Sequence, residues 1–277
     1  MPVVVGLEDR AASMDELKAF SAAFGSTASV AMFHIAGVTP EAADVATALA
    51  HKEPEVTVEL TAADLAGAWR ALDSSGRADE ADRIELVAVG NPHLSLSECA
   101  TLAGLCDGTA TLHPDVSMVA TMGRAVYEEA EEAGHTAVLE KFGVQFVTDT
   151  CWCMLTEPVV PVASKTLVTN SAKYAHYAPG LVNRRVRFNT LAACVEAATT
   201  AEAAPPPAWV LGAAQTAQPQ RGFSTWSSVA PVASAVPRSR APRSRARAHL
   251  YGARVAVAPF APMRSMLRFG LRAAGRR

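Results

Sequence analysis

The chain has 277 residues, half of them apolar and 19% charged, with a formal net charge of −2. That composition can bury a core and excludes a wholly disordered or collagen-like chain. The near-neutral sum hides a split: residues 1–200 carry 13 Lys and Arg against 26 Asp and Glu, whereas residues 201–277 carry 12 Arg, no Lys and one acid, Glu202. The first part reads as an acidic globular sequence and the second as a basic Ala/Pro/Arg/Ser stretch.

Met1-Pro-Val-Val-Val-Gly has no basic n-region followed by a long apolar run, and nothing in the chain approaches the roughly 18 apolar residues of a spanning helix. The expectation is a soluble, cytoplasmic protein without a signal peptide. Its five cysteines (Cys99, Cys106, Cys151, Cys153 and Cys194) are odd in number and irregularly spaced. In a reducing compartment this favours free, metal-binding or catalytic thiols over a disulfide framework.

Strand-like and helix-like patterns alternate over the first 200 residues. The apolar run Val30–Ile35 predicts a strand, followed by a helix with Thr39 as N-cap and Pro40 in its first turn. Val56–Leu60 alternates like a strand. Thr61 then caps a helix on which Leu65, Trp69 and Leu72 recur at helical spacing. Ile84–Val89 predicts a strand running into Gly90-Asn91-Pro92-His93. Ser95 and Glu98 have the spacing of a capping box, and Cys99 and Cys106 fall on the helix it opens, as core residues. Val116–Thr121 predicts a strand, Arg124–Phe142 one long helix, and Val144–Thr148 a strand leading into Asp149-Thr-Cys-Trp-Cys. Thr166–Thr169 leads into Asn170-Ser-Ala-Lys.

This alternation predicts an α/β layered fold with a mostly parallel sheet and flanking helices. Ligands of such sheets gather beyond the carboxyl ends of the strands. Polar clusters stand at four such ends: His34, Asn91 to His93, Asp149 to Cys151, and Asn170 to Lys173. Taken singly, each suits an ordinary loop or a satisfied core histidine; four together favour one shared site. From Ala201 onward no period is visible, and the composition predicts disorder to about residue 250, then a weak amphipathic segment from Met263 to Ala274. Twelve arginines without aromatic interleaving favour an unselected, out-of-frame extension over a nucleic-acid-binding tail.

Several stretches together resemble the catalytic large domain of the aconitase X family: Met32-Phe-His-Ile-Ala-Gly-Val-Thr-Pro-Glu-Ala, Val89-Gly-Asn-Pro-His-Leu-Ser-Leu-Ser-Glu, Thr148-Asp-Thr-Cys-Trp-Cys, Thr169-Asn-Ser-Ala-Lys-Tyr-Ala-His-Tyr-Ala-Pro-Gly and Phe188-Asn-Thr-Leu-Ala-Ala-Cys-Val-Glu-Ala-Ala. The resemblance covers about residues 1–199 and leaves out 201–277. It implies an iron–sulfur hydro-lyase that removes water from a small hydroxy acid. In one branch the substrate is cis-3-hydroxy-L-proline, converted to pyrroline-2-carboxylate; in the archaeal branch it is a phosphorylated mevalonate. The archaeal-type pattern has Gly-Cys-Pro-His where this chain has Gly90-Asn91-Pro92-His93, so the hydroxyproline branch is the closer match. A third possibility is an inactive α/β fragment with an Arg-rich nucleic-acid-binding tail.

The resemblance also assigns roles. Cys151, Cys194 and Asn91 occupy the ligand positions of an iron–sulfur cluster, of two-iron or four-iron type, with Cys153 as a further ligand or a small core residue. On an extended segment Cys151 and Cys153 face opposite sides; in a turn they converge. Lys173, with Ser171 beside it, is the carboxylate partner, and His93 orients substrate or supports a ligand. His176 and Tyr177 are weaker candidates. No residue here matches the serine loop of the family's small domain, so no catalytic base is assigned. The resemblance implies a truncated member, with a small-domain subunit as its expected partner.

Overall fold

The computed structural model describes residues 1–28, 30–73, 83–108, 111–216 and 253–257. They fall into two compact units. The first is built from residues 1–10, 32–58 and the strand near 254–257. Its sheet has the order β2-β1-β9-β3, from β1 (Pro2–Val5), β2 (His34–Ile35), β3 (Val56–Leu60) and β9 (Ala253–Val257). β2 runs parallel to β1, with Val3 opposite His34, and β9 runs antiparallel to it. Val3, Ala36, Ala42, Ala48 and Leu49 make its small core.

Two expectations are corrected in this unit. The strand drawn from Val30 shrinks to two residues: β2 is His34–Ile35 alone, and Val30 and Met32 before it are exposed and not core residues. Thr39 does not cap a helix; residues 39–43 form turns, and Thr39 Oγ1 instead accepts from the Ile35 backbone N–H. The short helix α2 (Val45–Ala48) starts later, capped by Asp44, whose carboxylate accepts from the Thr47 N–H at 2.7 Å.

The second unit carries a five-stranded, all-parallel sheet, order β6-β5-β4-β7-β8. Its strands are β4 (Leu86–Leu94), β5 (Ser117–Met122), β6 (Val144–Thr148), β7 (Thr166–Thr169) and β8 (Arg185–Phe188). Alternation along β4 sends Val87 and Val89 into one apolar cluster and Leu86 and Ala88 into another, so the sheet is covered on both faces as a parallel sheet requires. The first cluster holds α4 (Leu96–Cys106), α6 (His135–Phe142) and α8 (Leu191–Thr200); the second holds α7 (Ala172–Val182) and a 3-10 turn at Trp152–Met154.

Local capping predicts the helix starts well. Thr61 with Asp64 caps α3 (Ala62–Leu72), and Ser95 with Glu98 caps α4, both as reciprocal capping boxes. Ser13 and Glu16 do the same for α1 (Met14–Thr27), which packs against α7 and β4 and which the hydrophobic pattern did not reveal. The single helix expected over Arg124–Phe142 is two, α5 (Arg124–Glu132) and α6, broken where Gly134 takes φ +79°.

Disorder does not begin at residue 201. α9 (Ala208–Thr216) packs on α3: Val210 is buried with Ala66, and Trp209 meets Trp69 edge-on at 5.6 Å between ring centroids. Apolar residues at helical spacing offset the ordering entropy there, against the Pro-rich composition upstream. Residues 217–252 and 258–277, including most of the Arg-rich stretch and the segment from Met263 to Ala274, lie outside the described residues.

Candidate functional site at the carboxyl edge of the parallel sheet

Because all five strands run one way, the carboxyl-terminal part of β4 and the residues following β6 and β7 share one edge. β4 ends tightly against β5. Gly90 has φ +92°, and a Cβ there would lie 2.2 Å from the Thr121 carbonyl oxygen; Thr121 Oγ1 donates to the Gly90 carbonyl at 2.5 Å. Only glycine allows this approach, and it delivers Asn91 into the edge.

Asn91 is 3% exposed and is the hub of the site. Its side-chain Nδ2 lies 3.6 Å from Cys153 Sγ, and its Oδ1 lies 3.8 Å from Cys151 Sγ. Its backbone carbonyl accepts a hydrogen bond from Ser171 Oγ. The two thiols meet one amide because the chain turns between them: Cys151 precedes the 3-10 turn, and Trp152 is driven fully inside, where its indole Nε1 donates to the Val89 carbonyl at 2.7 Å. Both cysteines are partly accessible.

The loop entering this turn is held from three directions. Asp149 takes φ +54°, and its carboxylate accepts from the Arg124 backbone N–H at 2.8 Å and pairs with the Arg124 guanidinium at 2.9 Å. His93 Nε2 donates to the Thr150 carbonyl at 3.0 Å, which fixes the proton on that nitrogen because a carbonyl only accepts. The His93 carbonyl in turn accepts from Lys18 Nζ at 2.9 Å, and Lys18 is paired with Glu98 at the start of α4. His93 thus positions the cysteine loop, and Lys18 ties α1 to it.

From the other side comes α7. Ser171 is its N-cap, its hydroxyl accepting from the Tyr174 N–H at 3.0 Å while donating to Asn91. Lys173 sits in the first turn of this helix rather than in a loop, and is half-buried. Burial pushes the Cys153 thiol pKa up and the Cys151 thiol adds to that, while the Asn91 amide and the Lys173 ammonium pull it down. A helix N-terminus and a lysine beside two thiols favour negative charge. Tyr174 is fully buried, its ring 5.0 Å from that of Trp152, and its hydroxyl has no hydrogen-bond partner among the described residues. Burial first, then Cys153 and Cys151, push its pKa up.

The structure therefore brings together Asn91, Cys151, Cys153, Ser171 and Lys173, with His93 behind the cysteine loop. It does not bring Cys194 to them. Cys194 is fully buried on α8 within the apolar cluster of Val87 and Val89, and desolvation alone raises its thiol pKa. Trp152 packs in the cluster on the other face of β4. Cys99 and Cys106 are core residues of α4, pushed up by burial to about 11. His34 lies in the first unit, its Nδ1 3.3 Å from Thr39 Oγ1. His176 and Tyr177 meet edge-on, their ring centroids 5.0 Å apart, on the exposed side of α7. Trp152 and Tyr174 had no sequence signal beyond being large and apolar.

Among the described residues no group of three or more His, Cys, Asp or Glu is placed to hold a metal ion. A cluster held by Cys151, Cys194 and Asn91 does not fit this arrangement. The donor set that does converge, two thiols with one amide oxygen beside them, suits iron or another thiophilic metal.

A parallel α/β sheet whose carboxyl edge presents two thiols, a buried amide and a lysine defines an α/β domain with a candidate site at that edge. Comparison with known proteins narrows this. The second domain of aconitase X matches residues 1–70 and its third domain matches residues 84–200. The chain is 54% identical over 211 residues to the cis-3-hydroxy-L-proline dehydratase of Pseudomonas aeruginosa, covering 76% of this chain and 36% of that protein. It is 48% identical over 198 residues to the enzyme of the same name from Hypocrea jecorina, covering 72% and 33%. Identity to the phosphomevalonate dehydratase large subunit of Methanothermobacter thermautotrophicus is 31% over 169 residues, covering 61% and 39%. The crystal structure of Thermococcus kodakaraensis aconitase X in its holo-form superposes with a TM-score of 0.50 at 27% identity, covering 63% of this chain and 42% of that one. The chain belongs to the aconitase X family. It spans about a third of the length of the two hydroxyproline dehydratases.

Proposed function

We propose that this chain is the thiol-bearing part of a hydro-lyase that dehydrates cis-3-hydroxy-L-proline to pyrroline-2-carboxylate. The observation that carries the reading is Asn91, held between the sulfurs of Cys151 and Cys153 at 3.8 and 3.6 Å. It stands where the archaeal-type pattern has a cysteine, and the higher identities to the hydroxyproline dehydratases point the same way.

In this reading Cys151 and Cys153 would hold an iron–sulfur centre, with Asn91 beside both sulfurs. Bound there, such a centre supplies a Lewis acid for the departing hydroxyl. The chain's own residues do the rest that belongs to it. Lys173, at the N-terminus of α7, pairs with the substrate carboxylate and stabilises the enolate that develops when the α-proton is lost. Ser171 and the Gly90–Thr121 clamp fix Asn91. His93 keeps the cysteine loop in place through Thr150. The α-proton goes to a base outside this chain's assigned residues, on a partner of the aconitase X small-domain type. The compartment is reducing and cytoplasmic, consistent with cysteines that are all free.

The test is anaerobic reconstitution of the full chain with iron, sulfide and a small-domain polypeptide of the family. The expected result is bound iron, a brown chromophore and consumption of cis-3-hydroxy-L-proline but not of phosphomevalonate. A reconstituted complex that binds no iron overturns the reading; one that consumes only phosphomevalonate overturns the substrate.

A further inference from the structure

Lys18 is 75 residues from His93 in sequence, and both belong to the second unit. Its Nζ donates to the His93 carbonyl at 2.9 Å, pairs with the Glu98 carboxylate, and lies 3.5 Å from Asp15 on its own helix. An ammonium has three donors and no acceptor, so these three oxygens account for all of it. Fixing a lysine side chain costs rotamer freedom, and an ion pair at a surface returns little of that by itself. Here one donor is aimed at the main chain of the segment that leads into the site. His93 is thereby held at two points: its carbonyl by Lys18, and its ring by the bond from Nε2 to the Thr150 carbonyl at 3.0 Å, one residue before Cys151. The helix that brings Lys18, α1, has no buried residue of its own; it packs on α7 and β4, and Asp15 accepts from the Ser97 hydroxyl of α4.

We propose that Lys18 is a positioning residue for this site: by holding the His93 carbonyl it keeps the His93 ring on Thr150, and with it the turn that sets Cys151 and Cys153 against Asn91. Lys18 acts through His93 and takes no part in chemistry at the sulfurs. Glu98 also accepts from the Ser95 N–H at 2.9 Å, a cap that does not need the lysine. Loss of the ammonium therefore falls on His93 and the turn behind it, not on the start of α4. The bond from a charged donor is stronger than a neutral one, which suits it to fixing a loop that has little core packing of its own. The functional meaning of the proposal rests on the reading of this edge as the active site.

The experiment compares the full chain with its Lys18→Met variant, which keeps the apolar stem and removes the ammonium. Amide hydrogen exchange followed by NMR reads the turn at Met154 and Leu155, whose N–H groups bond to the carbonyls of Cys151 and Trp152 at 2.8 and 3.1 Å. NMR of the imidazole nitrogens reads the His93 Nε2 proton, a signal that a lysine serving only to staple α1 to α4 would not move. In K18M both amides are expected to exchange roughly tenfold faster, and the ring proton to lose its protection, while Val119 and Val168 in the parallel sheet stay as they were. Unchanged exchange at Met154 and Leu155 overturns the proposal, and so does an acceleration shared equally by the sheet amides, which marks general destabilisation. Should K18M fail to fold, the unsubstituted chain decides: the turn is expected to be protected no more than the mid-helix amides of α1, and greater protection overturns the proposal, because the turn then stays closed while α1 is open. All these readouts are taken on the chain without metal, so they stand apart from the iron test that decides the active-site reading.

Discussion

The indole Nε1 of Trp152 donates to the carbonyl of Val89 across 2.7 Å of buried space. That bond turns a Cys-Trp-Cys sequence into a convergent pair. With Trp152 anchored to Val89 of β4, the chain makes a 3-10 turn, and the cysteines on either side meet the same Asn91 instead of facing opposite sides. Trp152→Phe keeps most of the ring and loses the bond, leaving the Val89 carbonyl short of a partner. The expected outcome is a loss of about 1–2 kcal/mol in urea unfolding, together with weaker cobalt or iron retention measured by metal analysis after desalting.

Gly90→Ala places a methyl group 2.2 Å from the Thr121 carbonyl oxygen at φ +92°. Backbone has to move on both strands, and Asn91 moves with it. A stability loss of about 2–4 kcal/mol is expected, read by denaturant unfolding, with metal retention falling in step.

Cys194 separates two roles cleanly. As a core residue among Val87, Val89 and Val195, its replacement in Cys194→Ala removes one buried sulfur and should cost about 1 kcal/mol while leaving the metal content of the reconstituted chain unchanged. The corresponding Cys151→Ala and Cys153→Ala variants should lose metal with a small stability change. Metal analysis and unfolding curves of the three variants give the assignment directly, and loss of metal from C194A would restore Cys194 to the ligand set.

Asp15 is held below its ordinary carboxylate pKa chiefly by the Ser97 hydroxyl, with help from Ser95 and Lys18. A lowered pKa in the folded state means stability that is present above the unfolded value and is lost as pH falls through the folded one. Asp15→Asn should therefore lower stability at neutral pH by less than about 1 kcal/mol, given the partial exposure of the pair. It should also flatten the acid limb, so that the two chains converge below pH ~4 in a pH series of unfolding midpoints.

The sequence by itself determined what is decided within a few residues. Thr61 with Asp64 and Ser95 with Glu98 satisfy helix N–H groups three residues away, so α3 and α4 begin where their caps say. Val144–Thr148 and Thr166–Thr169 are strands from their apolar and β-branched runs, and the βα rhythm placed Cys151, Ser171 and Lys173 beyond strand ends, whereas Asn91 lies within the carboxyl-terminal part of β4. Where the rhythm was read too generously, a local fact intervened: the left-handed Gly134 divides one helix into two, and the pairing of β2 with β1 begins only at His34.

Tertiary structure alone decided which cysteines meet Asn91. Cys153 joins because Trp152 is buried, and Cys194 stays away because α8 turns it into the apolar cluster on one face of β4. It also decided that Trp209, in a stretch whose composition argues for disorder, orders against Trp69. Caps and strand patterns are short-range hydrogen-bonding and periodicity effects. The convergence of thiols 60 and 62 residues from Asn91 depends on the parallel register of β4, β5 and β6, and that register comes from packing both faces of the sheet at once.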